Sequence, residues 1–334
     1  MMDNIFYNTK KYKYIIIYTY NMVEKLPNED FRKLVKSTRD PEFKKEIYEP
    51  QGQREINWSA YTTSQIKEVE DTLNFIRNSV NLFGAIKVRK NATSPKFLAK
   101  AVLLSEFLHS PERQSEGWMK IFGPHVGIHQ RIDDWIIGDG YSRPEVAIIL
   151  YEIFLTFRKS DGKLNGDGTG LERTRKQNYE SQKKNCGGWY MTSIVDSREI
   201  VQAFDITGRG EREVMMELIK IVSGESIRLD AGFNSRELTK VIEDLFMTPY
   251  IYPKSINNLN GEDSWKYMYL EFFLDIWLWL KEYHQRSHCE SFHSAFKRVY
   301  GEVTKIKYTA RFVQITARII LHNFRRLSYF NKRY

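Results

Sequence analysis

Cysteine is nearly absent, with Cys186 and Cys289 the only two in 334 residues. Two thiols cannot staple a chain of this length, so a secreted-type disulfide framework is excluded and a reducing compartment is expected. Long apolar runs are missing as well, and the mean hydropathy is −0.51. The segment Tyr14–Tyr20 holds only three consecutive isoleucines among tyrosines, short of a secretory core of ~7–15 residues. Tyr267–Leu280 is broken by Glu271 and Asp275 and falls short of the ~20 residues that span a bilayer. No membrane partner is therefore expected, and the location expected is cytoplasmic. Met22 is an alternative start that would make the first 21 residues an extension. There is no internal repeat and no low-complexity tract. No Gly-Lys-Ser/Thr follows Gly168-Thr169-Gly170, so no nucleotide cofactor is expected. No Cys-x2-Cys or His-Glu-x2-His frame accompanies His284, His288, Cys289 and His293, so these histidines read as surface or DNA-facing groups rather than zinc ligands.

What the chain does have is apolar mass and a lopsided charge. Hydrophobic residues are 42% and aromatics 14%, enough for a substantial core and too many for a disordered chain. Trp265, Trp277, Trp279, Phe272 and Phe273 stand at helical spacing and read as core. Lys and Arg number 51 against 42 Asp and Glu, a net of +9. Residues 281–334 contain 12 Lys/Arg and 3 Glu, while everything before them balances at 39 of each sign. Basicity concentrated in this way predicts a polyanion partner. Lys305, Lys307, Arg311, Arg318, Arg325 and Arg326 are expected along a DNA backbone, with binding that falls steeply as salt rises.

Residues 1–60 are polar, mixed and punctuated by Pro27, Pro41 and Pro50, and little core is expected there. From 61 to 158 the pattern is helical: Ile66, Val69, Leu73, Ile76 and Val80 recur at three- and four-residue steps, as do Leu98, Ala101, Val102, Ser105 and Leu108. Ser142, Pro144 and Glu145 read as a capping box opening the helix 146–157. This all-helical region is a possible DNA-binding domain. Residues 158–170 read as a glycine-rich linker, after which the period changes. Strands are predicted at 189–195 and 200–206 with a hairpin at 196–199, a helix at 211–222, a strand at 226–229, a helix at 235–245 and a strand at 250–252. Helix follows over 264–300 and 305–330, giving an α/β pattern with a helical cover over 159–334.

Three acids stand where a metal-dependent phosphate enzyme needs them. Asp167 lies within Gly166-Asp167-Gly168-Thr169-Gly170, and Asp230 ends a short strand before Ala231-Gly232-Phe233. Glu290 belongs to Tyr283-x2-Arg286-x3-Glu290-x6-Lys297. On a single helix these four fall within a stripe about 60° wide. Charges there need each other, a metal or a phosphate; an ordinary solvated face with an Arg286–Glu290 pair is the competing explanation.

These residues resemble the DDE transposases of bacterial and archaeal insertion sequences. The likeness rests on the Tyr-x2-Arg-x3-Glu-x6-Lys spacing, the upstream Asp-x-Gly-Phe and the Asp-Gly-Thr-Gly before it. Tyr283–Ser291, Phe296–Gly301 and Leu321–Leu327 look like archaeal members in particular. It covers roughly residues 160–330. The resemblance implies a ribonuclease-H-like catalytic domain, a mixed sheet flanked by helices, preceded by the all-helical N-terminal region. Asp167, Asp230 and Glu290 would be catalytic and would bind two Mg²⁺ or Mn²⁺ ions, about 4 Å apart, for in-line displacement at phosphorus. Water would attack first, and the freed 3′-hydroxyl would then attack target DNA. Tyr283, Arg286 and Lys297 would hold phosphates near the cut end, and Arg173, Arg175 and Lys176 would contact DNA. The implied partner is double-stranded DNA, both terminal inverted repeats and target, bound by a homodimer in the synaptic complex at the nucleoid. Asp161, Asp196 and Asp205 compete with Asp167 as first carboxylate; the Thr-Gly after Asp167 and the basic Arg173–Lys176 stretch favour Asp167. A DNA-binding relic or regulator without activity, or a nuclease without strand transfer, are the alternative functions.

Overall fold

The computed structural model describes residues 28–41, 56–84, 89, 92–172, 189–254, 257–260 and 263–331. Arg173, Arg175, Lys176 and Cys186 lie outside them.

Seven α-helices precede the first strand among the described residues: α1 (Asn28–Ser37), α2 (Trp58–Ile66), α3 (Glu68–Asn81), α4 (Pro95–Phe107), α5 (Glu112–Phe122), α6 (Asp134–Gly140) and α7 (Pro144–Phe157). Local chemistry sets several starts. The Asn57 side chain accepts from the Ala60 amide at 2.9 Å, Asp133 accepts from Ile136, and Pro95 and Pro144 open α4 and α7 where a missing N–H costs nothing. The capping box expected at Ser142 does not form: Arg143 takes the cap position and no side chain caps α7. Helix α4 is buried on nearly every face, and α3, α6 and α7 pack around it.

The rest is a five-stranded mixed sheet with helices on both faces. Its strands are β1 (Lys163–Leu171), β2 (Trp189–Val195), β3 (Val201–Asp205), β4 (Ser226–Leu229) and β5 (Thr248–Ile251), in spatial order β3-β2-β1-β4-β5. β2 runs antiparallel to both β1 and β3, and β4 and β5 are parallel to β1. The helices are α8 (Glu211–Ile219), α9 (Arg236–Asp244), α10 (Asp263–Leu274), α11 (Ile276–His284), α12 (Ser287–Tyr300) and α13 (Tyr308–Asn331). The strands at 189–195 and 226–229 and the 196–199 hairpin lie where the alternation placed them. No described helix is long and apolar enough to cross a membrane.

Three expectations are corrected. The presumed linker is the central strand β1. Glycine disfavours strands in general, but here the missing side chains make room. A Cβ on Gly166 would stand 2.6 Å from Leu229 Cδ2, and one on Gly168 would stand 2.2 Å from Glu211 Oε1. Second, the segment before residue 60 does supply core: Phe31 and Val35 are fully buried, with the Phe31 ring 5.0 Å from that of Tyr269. Third, helix 264–300 is three helices. Asp275 caps α11 by accepting from Leu278, and the chain turns again at Gln285–Arg286 before α12. Tyr283, Arg286, Glu290 and Lys297 therefore span a helix junction rather than one stripe.

The core has two parts. One joins α3, α4 and α7 to α12, α13 and one face of β2 and β3. The other fills the opposite face beneath α8 and α9 and continues around β5 to α1, α10 and α11. Trp265, Trp279 and Phe272 are buried as expected, whereas Trp277 is largely exposed.

Candidate functional site

Parallel pairing of β1 with β4 sets Gly166 opposite Leu229, so the next residues, Asp167 still within β1 and Asp230 just past β4, follow side by side. Strands in a sheet lie about 4.8 Å apart, and partners in register share a face. On that face α12 packs across β1 and β2. Its buried stripe docks at Ser193, the register partner of Asp167: His293 Nε2 is 2.8 Å from Ser193 Oγ, and the Cys289 thiol lies 3.8 Å from it. Docked in this way, α12 carries Glu290 to the same end of the sheet as the two aspartates. Arg228, fully buried on β4, fixes the preceding helix by pairing with Glu282 and donating to its carbonyl at 3.0 Å.

Arg286 stands at the centre. Its guanidinium donates to Glu290 Oε1 at 2.6 Å and lies 3.5 Å from Asp167 Oδ2, with Asp230 and Tyr283 as further electrostatic neighbours. Burial alone would lower its pKa; the surrounding anions outweigh that and hold it above the ordinary value. Asp167 is pushed up, chiefly by desolvation, with Glu211 and Glu290 adding to the rise while the Gly168 amide and Arg286 oppose it. The Asp230 carboxylate accepts from the Gly232 amide at 3.3 Å, which orients it at the strand end. Tyr283 is buried, stacked on Trp279 with ring centroids 5.4 Å apart. It bears on Arg286 from below and is not an open phosphate ligand in this arrangement. Lys297 lies two turns beyond Glu290 and is half-buried.

The competitors of Asp167 are engaged elsewhere. Asp196 is fully buried in the β2–β3 hairpin, where it accepts from the Arg198 and Ile200 amides and from the Arg198 side chain at 2.7 Å. Asp161 accepts from the Ser197 hydroxyl and the Lys163 amide, and Asp205 caps the turn at Thr207.

Sequence reasoning missed Glu211. It opens α8 over Gly168 and accepts from the Tyr190 hydroxyl at 3.1 Å, on the other face of the same strand. An acid in the first turn of a helix following a strand was the available signal. His293 is also corrected: it is a buried partner of Ser193 whose pKa burial pushes down to about 4, not a surface or DNA-facing group.

The basic C-terminal segment turns inward. Arg318 is buried and donates to Glu106 at 2.6 Å; Lys305 pairs with Glu112, Arg325 with Glu68 and Arg326 with Glu199. Arg311 lies 4.7 Å over the Trp189 ring. Counting charge by segment hid this, since three of the four partner acids belong to α3, α4 and α5. Lys305, Arg318, Arg325 and Arg326 are thus counter-charges to acids of earlier elements rather than free cations of an exposed stripe.

No protein-family model, curated protein or solved structure matches the chain. Among the described residues, no group of three or more His, Cys, Asp or Glu side chains is placed to hold a metal ion. The cation lying against Asp167 and Glu290 is the Arg286 guanidinium.

Proposed function

We propose that the chain is a DDE-type transposase with a ribonuclease-H-like catalytic domain, cutting transposon-end DNA and joining the freed 3′-hydroxyl to target DNA. One observation carries this reading: Asp167 within β1 and Asp230 just past the end of the adjacent parallel strand β4 follow a paired register at the centre of the sheet, and α12, packed over β1 and β2, carries Glu290, which pairs with Arg286, itself in contact with Asp167. The strand order β3-β2-β1-β4-β5, with β2 antiparallel to both β1 and β3 and with β4 and β5 parallel to β1, agrees with it.

The donor set fits Mg²⁺ or Mn²⁺ by chemistry, since three carboxylates are hard, anionic oxygen ligands. Asp167, Asp230 and Glu290 would hold the ions, which when bound activate the attacking oxygen and stabilise the leaving one. The aspartates are fixed by their strands. The Glu290 side chain is 53% exposed and has room to swing. Arg286, freed from the carboxylates, has a planar fork that matches two phosphate oxygens. Lys297 extends the positive charge along α12 in the direction of an incoming strand. Cys289 is buried with its thiol held well above the usual range by desolvation, so it is no candidate for a covalent intermediate.

The test uses DNA carrying the inverted repeats that flank the coding region, the purified protein and Mn²⁺. Cleavage followed by joining is the expected result. Cleavage alone would make the protein a nuclease, and binding without cleavage a relic or regulator. Asp167→Ala, Asp230→Ala and Glu290→Ala should each abolish the reaction while leaving the melting temperature near that of the parent. Asp196→Ala should instead lower the melting temperature, because it removes a buried partner of Arg198. If Asp196→Ala folds and loses the reaction while Asp167→Ala keeps it, the assignment of the first carboxylate is wrong.

A further inference from the structure

Carboxylates set near one another repel unless a cation lies between them, and in this fold the chain supplies that cation to Asp167 and Glu290, with Asp230 a further electrostatic neighbour. Arg286 makes a close ion pair with Glu290 and a second contact with Asp167, at 2.6 and 3.5 Å. It sits at the turn between α11 and α12, so its backbone is tied to both helices. Below it Tyr283 is locked between the Trp279 and Tyr252 rings, at 5.4 and 5.2 Å between centroids. A divalent ion would need the same carboxylate oxygens that the guanidinium now occupies. The guanidinium is nevertheless not sealed in, since 21% of the side chain remains accessible, and phosphate is a partner it binds in two-point fashion.

We infer that Arg286 is an internal counter-cation that keeps the carboxylate site closed to divalent metal until a nucleic-acid phosphate draws it away, so that phosphate binding and metal binding at this site are coupled. This rests on Asp167, Asp230 and Glu290 being a metal site. Coupling of this kind is reciprocal: duplex DNA raises metal affinity by the factor by which metal raises DNA affinity. Its functional consequence is a site assembled only on substrate, which protects other phosphodiesters from a permanently loaded metal centre.

The probe is Mn²⁺ alone, followed by electron paramagnetic resonance with the full chain and no cleavage readout. Arg286→Gln without DNA should bind Mn²⁺ roughly ten-fold more tightly than the parent, the loss of one close, partly buried competing ion pair. The parent with a short duplex of arbitrary sequence should move in the same direction. Asp167→Asn with the same duplex supplies the background of ions held by DNA itself. If Arg286→Gln binds as the parent does, or more weakly, and the duplex adds nothing above that background, the gating role is overturned while the metal site stands. If neither parent nor Arg286→Gln binds Mn²⁺ above the Asp167→Asn level, the metal site itself is overturned. The parent measurement with and without duplex, set against the Asp167→Asn background, does not use Arg286→Gln and so decides the matter even if that variant fails to fold.

Discussion

Mild acid should weaken this fold through two buried histidines. His293 and His322 are both buried, and desolvation is the main cause that pushes each from an ordinary value of 6.5 to about 4. Both are neutral in the folded protein, whereas in the unfolded chain they accept protons below about pH 6.5. The unfolded state thus binds more protons between these values, so their contribution to stability is full above about pH 6.5 and is lost as the pH falls towards 4. At about pH 5 the lost contribution is roughly 2 kcal/mol for each histidine, or about 4 kcal/mol together, from 1.36 kcal/mol per pKa unit. That is a large share of the 5–15 kcal/mol typical of a folded domain. Asp167 and Asp196, with raised values, act in the opposite sense over the lower part of this window. The histidine part is therefore isolated by difference. Urea unfolding would be followed between about pH 7 and 5 for the parent and for His293→Gln/His322→Gln. Glutamine can still bond to Ser193 Oγ and donate to the Glu199 carbonyl, the present partners of the two rings. The parent should lose stability faster than the double variant as the pH falls. Parallel curves for the two proteins would refute the desolvation account.

Two further outcomes are expected. Glu106→Gln should destabilise the protein by roughly 3–5 kcal/mol in denaturant titration, because it leaves Arg318 buried without its anion; Glu106 also accepts from Tyr141 at 2.7 Å and Gln314 at 3.0 Å. Gly166→Ala should lower the melting temperature by an amount corresponding to roughly 1–3 kcal/mol, since its Cβ would meet Leu229 at 2.6 Å and Met215 at 2.9 Å.

What could be read from the sequence was whatever depends on neighbours along the chain. The alternation in Trp189–Val195, the short run Ser226–Leu229 and the helical spacing of Leu73, Ile76 and Val80 each describe a local surface to be buried, whereas Ile66 and Val69 of the same pattern are exposed. The three acids stood out in the sequence as residues beside glycine turns or at helix positions, and the structure places Asp167 and Glu290 on one arginine. What failed depended on partners distant in sequence. Gly166 and Gly168 look like linker until Leu229 and Glu211 are seen pressing against them. Phe31 looks isolated until it meets Tyr269. The basic residues of α13 look like a DNA stripe until Glu68 and Glu106 are found opposite. Periodicity also runs straight through a turn: nothing in the spacing from Tyr283 to Lys297 shows that the helix breaks at Gln285–Arg286.

Helix α13 closes the packing of elements made long before it. The Glu106–Arg318 contact joins positions 212 residues apart, and the same helix lies against α4 and α7. During synthesis the early helices would wait, with their apolar faces uncovered, until some 150 further residues had left the ribosome. Contacts at such separation slow folding, and an exposed half-core is where aggregation begins. Expression of residues 61–158 alone should accordingly give an insoluble or chaperone-bound product, and the yield of the whole chain should depend on how quickly its distal portion is translated.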